Sequence, residues 1–496
     1  IPDNLQIVPH RVVAERTSPT NISLSVLGVI SAYDLGFIPL RGVIKRLTGT
    51  FASLSRLERF KGHFLNWYSI RDLRSLYPRY ISTVDSGNLV GHFIAVQQVL
   101  SDFPYLPLMD ERHVQHLSYL LRHLGNLPPA SFAVLESPAR TVTNLADLIA
   151  VVRHVCELRD ELVGNGASEE LRRVLDEYGE LGQFLEWTKR LPFVAQLGER
   201  QLLPKKLKDI DRILRGRTPS LSLLLKITNR LFKIEQALDS SKLTDAEQEE
   251  FNAFLAELKS ANTALRGMLT AVDEISAQIS AVVKEMDFKF LCEPQKKLMV
   301  IGYNVDKGQK DNSYYDLLAS EARLALLVAV AKGDIPQSYW FILDRSLTES
   351  AGGKALLSWS GTMFEYLMPL LVTRAFPPTL LSGTYEAVVK AQQIYARRRG
   401  VPWGISESAF SGVDFEKTYQ YRAFGVPGLG LKRGLAEDLV ISPYSTMLAL
   451  AVNARAALAN LRRLEQDGLR GEFGFYEAVD YTAERLGAEE KRHIIK

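Results

Sequence analysis

At 496 residues the chain is long enough for two or more domains or for one large helical toroid, and 46% apolar with 24% charged residues excludes a disordered or fibrous class. Sixty basic and 57 acidic residues leave a net charge of +3, too weak a field to recruit nucleic acid or an anionic membrane and better matched to a neutral substrate. Cys156 and Cys292 are too few for a disulfide framework in so large a chain, which points to a reducing compartment.

The longest apolar runs, 325–331 and 447–459, fall short of the roughly 20 residues of a membrane-spanning helix. Starting at Ile1 with no charged-then-apolar leader, the chain reads as a piece of something larger. In ERTSPTNISL (15–24), Thr17, Ser18 and Thr20 offer N-cap oxygens and Pro19 suits a first turn, so helices are expected over about 21–35 and, with Leu47, Phe51, Leu54 and Leu57 in phase, 41–60. The stretch 62–93 concentrates aromatics, Asn, Asp and Gly before a helix start at Asp85 or Ser86. It either lines a cleft or plugs the end of a helical barrel.

Periodic helices are predicted at 141–164, 168–190, 218–239 and 243–286, with breaks at GNGAS (164–168) and RGRTPS (215–220). This part is sparse in aromatics and reads as a structural insertion. Beyond it, LMVIGYNV (298–305) predicts a strand with a turn at 306–308, and helices are expected at 311–334, 336–345, 360–374, 379–399, 434–439, 443–466 and 473–486. Helices far outnumber strands and neither a repeat nor βα alternation is visible, so an all-α toroid is the expected class. Its parts would be 1–104 and 287–496, with 105–286 inserted.

Residues 356–425 combine Trp359, Tyr366, Trp403, Tyr419 and Tyr421 with Glu365 and Glu407, aromatic faces to stack sugars beside carboxylates to cut them. Glu321 sits among Leu317, Leu318, Ala322 and Leu324, where burial would raise its pKa toward that of a general acid unless it pairs with Arg323. Asp316 would hold a sugar hydroxyl or cap a turn. Glu477 and Asp480, three apart on the helix predicted there and flanked by Tyr476 and Tyr481, would bind hydroxyls or cap it. GVPGLGLKRG (425–434) lacks P-loop spacing, His113, His116 and His123 lack further ligands and read as a solvated helix face, and Arg397–Arg399 read as the basic end of a helix. No metal site is predicted.

HRVVAERTSPTNISL, GHFLNWYSIRDLRSLYPRYISTVDSGNLVGH, IGYNVDKGQKDNSYYDLLASEARLA, LLSWSGTMFEYLMPLL, VPWGISESAF, TYQYRAFGVPGLGLKRGLAEDLVISPY and GFYEAVDYT together resemble the glycoamylase-like domain of bacterial cyclic β-1,2-glucan synthases. The resemblance covers nearly the whole chain and is weakest over 105–285. It implies an (α/α)6 toroid with a long helical insertion and a few short strands, set between a membrane-embedded glycosyltransferase module and a phosphorylase-like module of one polypeptide. That polypeptide would lie at the cytoplasmic face of the inner membrane.

The implied activity is anomer-retaining cyclisation of linear β-1,2-glucan, without a cofactor. By motif, Glu407 of WGISESA would be the nucleophile and Glu321 of LLASEAR the acid/base, while Glu365, Trp359, Trp403 and Tyr419 would line the cleft, with Tyr366, Tyr421, Asp316, Tyr476 and Asp480 as further sugar contacts. The alternatives are an inverting endo-β-1,2-glucanase-like hydrolase and a non-catalytic module that binds or measures glucan. Phe410 and Ser23 depart from the family's usual Tyr and Gly, and a His-His-Gln-Gly motif that follows in the family is absent from the sequence.

Overall fold

Helices carry most of the chain in the computed structural model, which describes residues 1–124, 142–164, 168–202, 219–236, 238–350, 352–487 and 490–496. These divide into two units, one of Ser25–Arg56 and Val96–Ala281, the other of Ile1–Leu24, Leu57–Ala95 and Val282–Lys496.

In the first unit the helix Leu40–Leu54 buries Leu40, Val43, Ile44, Leu47, Phe51 and Leu54 on one stripe. Arg46 ties it to the helix Glu169–Gly179 through a forked pair with Glu177, at 2.9 and 2.5 Å. The helix predicted over 168–190 stops at Gly179 and continues as two 3-10 turns around buried Phe184 and Trp187. The longest helix, Asp245–Glu285, opens on a capping box between Thr244 and Glu247 and buries Phe254, Leu258, Leu265, Val272 and Ile279. His113 is not on a solvated face: it is buried, with Nδ1 2.9 Å from Asp110 and Nε2 3.0 Å from the Ile38 carbonyl. His116 packs on Phe37, and the side chain of His123 lies outside the described residues. The predicted breaks at 164–168 and 215–220 fall largely outside them too.

The second unit alternates short strands with helices. The helix Pro19–Asp34 begins there at the predicted proline, with Ser18 accepting the Asn21 N–H at 3.2 Å. Arg59–Phe60 pairs with His63–Phe64, which is why the helix predicted to reach residue 60 ends earlier. Strand β1 (Tyr80–Ser82) runs straight into α1 (Thr83–Asp102). The strand expected over 298–305 is two, β2 (Leu298–Val300) and β3 (Gly302–Asn304); β3 pairs with β1, and β2 with β4 (Tyr314–Tyr315). Because residues 314–315 are drawn into that sheet, the helix expected from 311 starts only at α2 (Arg323–Ala331). α1 and α2 touch at Gly87, where any side chain would run into Ala325.

α3 (Met363–Leu367) is short because Pro369 turns its continuation into a 3-10 turn. α4 (Leu380–Arg399) is capped by Thr379 and leads through residues 400–407 to the hairpin β5 (Ser408–Val413)–β6 (Tyr419–Arg422). After β7 (Val440–Ile441) come α5 (Pro443–Leu448) and α6 (Leu450–Gln466); no helix forms at 434–439. The helix predicted at 473–486 does not form either. Residues 478–480 make β8, the central strand between β7 and β9 (His493–Ile495), followed by one 3-10 turn at Ala483–Arg485. Partners nearly 40 residues upstream override the helical spacing. No helix among the described residues is long and apolar enough to cross a membrane.

Candidate active site

Glu321 stands in the turn between β4 and α2 rather than on the helix itself. Arg323 does not pair with it. That buried guanidinium donates to the carbonyls of Ser320 (2.8 Å), Glu365 (2.8 Å) and Tyr366 (2.5 Å), with the Tyr385 hydroxyl at 3.3 Å. Burial raises the Glu321 pKa well above its ordinary value, and Glu407, Asp85 and Glu365 add to the rise while Arg323 opposes it weakly. The result is a carboxyl held in its acid form, with carboxylates for neighbours.

Glu407 closes the segment 401–407 at the foot of β5. The segment is pinned from several sides: the Gln392 amide exchanges two 2.8 Å bonds with the Ile405 backbone, and the Ser406 hydroxyl accepts the Phe364 N–H at 3.0 Å. Tyr444 donates to the Glu407 carbonyl at 2.8 Å. Gly404 has φ 123°, and a Cβ there would collide with the Ser445 and Thr446 hydroxyls at 2.7 and 2.8 Å. Burial, then the charge of Glu365, lifts the Glu407 carboxyl to about 7, against the pull of the Tyr421 hydroxyl and Lys432.

Glu365 lies close enough to act on both, but its own oxygens are engaged. It caps α3, accepting the N–H groups of Ser360 (3.1 Å) and Thr362 (3.3 Å) while Thr362 accepts the Glu365 N–H in return. Burial still raises its pKa, offset by these donors. Glu365 is therefore an anchored charge behind the site more than a sugar contact.

Of the aromatic residues, Trp359 is 63% exposed, with its carbonyl accepting the N–H of the same Lys432 whose charge reaches Glu407. Tyr421 is also exposed, and its pKa is raised by partial burial and by Glu407, Glu477 and Glu321. Tyr419 bonds His493 at 3.1 Å, apart from that cluster. Asp316 is exposed and the ring of Tyr476 lies 5.2 Å from the Lys496 ammonium.

Three expected contacts are corrected by burial. Tyr366 is 1% exposed and donates to the carbonyls of Leu356 and Leu429, at 2.8 and 2.9 Å, so it is part of the core. Asp480 is fully buried on β8 and held by Arg485 (2.8 Å) and Ser411 (2.7 Å), which keep its pKa below the ordinary range although burial alone would raise it. Trp403 is buried and lines a separate cavity against α4 and α6. Glu477, in the bend before β8, and Asp480, on it, both accept backbone N–H groups of β5. Glu477 is an exposed residue, but its carboxyl accepts the Ala409 N–H at 3.2 Å and is shielded enough that burial raises its pKa.

Asp85, in the first turn of α1, was legible only as a helix-start residue, yet it acts on Glu321 and on Tyr315. Tyr315 and Tyr444 gave no sequence signal beyond being aromatic. Electrostatically these residues form one cluster: Asp85 and Tyr315 act with Glu321, Tyr421 and Tyr444 with Glu407 and Glu477, and Glu365 acts on both Glu321 and Glu407.

The glycoamylase family model matches residues 313–494, which include all four of these glutamates but not Asp85. Over its whole length the chain is 38% identical to the cyclic β-(1,2)-glucan synthase NdvB of Rhizobium meliloti (strain 1021), of which it spans only 16%. Its fold is similar to that of an endo-β-1,2-glucanase from Chitinophaga pinensis solved with sophorotriose and glucose (TM-score 0.51, 10% identity, 97% of this chain and 79% of that one). It is also similar to an endo-β-1,2-glucanase from Talaromyces funiculosus solved with β-1,2-glucan (TM-score 0.52, 8% identity, 99% and 76%). The helical-toroid class and the family resemblance read from the sequence both hold.

Proposed function

We propose that this chain, which belongs with the glycoamylase-like domains of cyclic β-1,2-glucan synthases, is a glycoside hydrolase-type enzyme that cleaves linear β-1,2-glucan with retention and closes the fragment into a ring. What supports this reading is the difference in neighbours of two buried carboxyls: carboxylates around Glu321 favour its acid form, while Tyr421 and Lys432 draw Glu407, raised by burial to about 7, toward its ionised form. Environments that push two carboxyls apart in this way assign acid and nucleophile.

In that reading Glu321 gives its proton to an interior glycosidic oxygen as the Glu407 carboxylate attacks the anomeric carbon, and the C–O bond breaks to leave a glycosyl-enzyme. The 2-hydroxyl of the chain's other end then attacks the same carbon, returns its proton to Glu321 and releases Glu407. Retention needs carboxyls about 5 Å apart or a proton relay through a substrate hydroxyl. Tyr421 offers a face beside Glu407, and exposed Trp359 a second aromatic face for stacking. Glycosyltransferase and phosphorylase-like modules at a cytoplasmic membrane face are part of the same proposal.

In a second reading, inverting hydrolysis, Glu321 is the acid and Glu407 the base for a water held between more widely spaced carboxyls. Incubating the chain with linear β-1,2-glucan and analysing products by mass spectrometry and proton NMR decides between them. Rings of retained configuration support cyclisation, linear fragments of inverted configuration support the second reading, and binding without turnover refutes both.

A further inference from the structure

The cavity that Trp403 lines takes no part in the chemistry above. It lies between the last turn of α4 and one face of α6, has a volume of about 380 Å³, and is bordered by Gln393, Arg397, Trp403, Ala459, Asn460 and Arg463. None of the cluster carboxyls lines it. Its size falls within the range of small-ligand pockets.

Its charge is the unusual feature. Of the six arginines that end α4 (Arg397, Arg398, Arg399) or stand on α6 (Arg455, Arg462, Arg463), two, Arg397 and Arg463, line it. Among the described residues no carboxylate comes within ion-pair distance of any of the six, in a chain whose acidic and basic residues otherwise nearly balance. The helix dipole explains a basic last turn, but Arg463 already serves the end of α4, donating to the carbonyls of Gly400 and Val401 at 3.2 Å each. Among the described residues Arg397 has no protein acceptor, and it is exposed on the cavity wall. Asn460 is committed to the Trp403 backbone (3.1 and 2.7 Å), which fixes that residue in place, and among the described residues the Gln393 amide has no side-chain partner.

An aromatic edge, a free amide and an open guanidinium around a concave space are the groups that recognise a sugar bearing a phosphate. We propose that this cavity binds a phosphorylated hexose, its phosphate on Arg397 and the outer face of Arg463 and its ring against Trp403 and Gln393. The site would sit behind the segment 403–407 that carries Glu407.

Calorimetric titration of the chain with glucose 6-phosphate, glucose and inorganic phosphate tests it without turnover, so its outcome does not depend on the catalytic reading. Saturable binding of glucose 6-phosphate, at least about tenfold tighter than either half-ligand, is expected. Arg397→Gln should weaken it about tenfold and Ala459→Glu should abolish it, both with unchanged melting temperature. Absence of saturable binding would overturn the proposal, as would equal binding of phosphate alone, equal binding of glucose alone, or indifference to both substitutions.

Discussion

The turn that carries Glu321 and the segment that carries Glu407 bury a glutamate in the same cluster, and burial raises both carboxyls, but their neighbours differ. Around Glu321 the nearby charges are mainly carboxylates, Glu407, Asp85 and Glu365, and the one buried cation faces backbone carbonyls instead. Around Glu407 a phenol hydroxyl and an ammonium oppose the effect of burial and of Glu365. Burial alone would make two acids; the difference in neighbours makes one acid and one candidate nucleophile.

The contrast can be broken most severely at Glu407. Glu407→Gln should lower cyclising activity on the order of 10⁴-fold or more with little change in KM, as expected when a covalent step is removed. A variant that keeps wild-type turnover would end the assignment.

Tyr421→Phe attacks only the asymmetry. Losing the donor raises the Glu407 pKa above about 7, so less carboxylate is present at neutral pH. The acidic limb of the kcat/KM profile, expected to rise with pH through about 7, should move upward, and activity at pH 6 should fall roughly tenfold if the shift is one unit. An unmoved limb would show that Tyr421 does not tune Glu407.

Glu321→Gln should reveal the cost of the acid's position in stability. The folded-state pKa of Glu321 lies above its ordinary 4.5, so its contribution is full below 4.5 and lost as pH rises toward the folded value. Replacing it with neutral Gln should therefore raise the melting temperature by roughly 2–4 °C at pH 8, with the gain shrinking toward pH 4. A constant offset across pH would contradict this. The smallest effect is expected at Tyr366→Phe, which should cost about 1 kcal/mol in stability, measured by urea denaturation, and leave KM unchanged.

How much of this was legible follows from what each feature depends on. Amphipathic helices such as Leu40–Leu54 and Asp245–Glu285 carry their stripes in sequence, so the helical class could be read directly. Glu321 and Glu407 stood out through their apolar and glycine–aromatic surroundings, but nothing local said that they meet. Tyr366 and Asp480 looked like glucan contacts because composition cannot distinguish a cleft from a core; packing put both inside and set Trp403 against a separate cavity. Asp85 and β8 were missed because both depend on residues distant in sequence, Glu321 for the first, Val440–Ile441 and His493–Ile495 for the second.

The most direct test of the division between Glu321 and Glu407 is covalent trapping. β-Sophorosyl fluoride needs no acid to leave, so Glu321→Gln should be glycosylated by it and, lacking the base for the second step, should accumulate the adduct. Mass spectrometry of the digested protein should find a two-glucose adduct on the peptide containing Glu407. Release of α-configured sugar with no adduct on Glu407 would contradict the account.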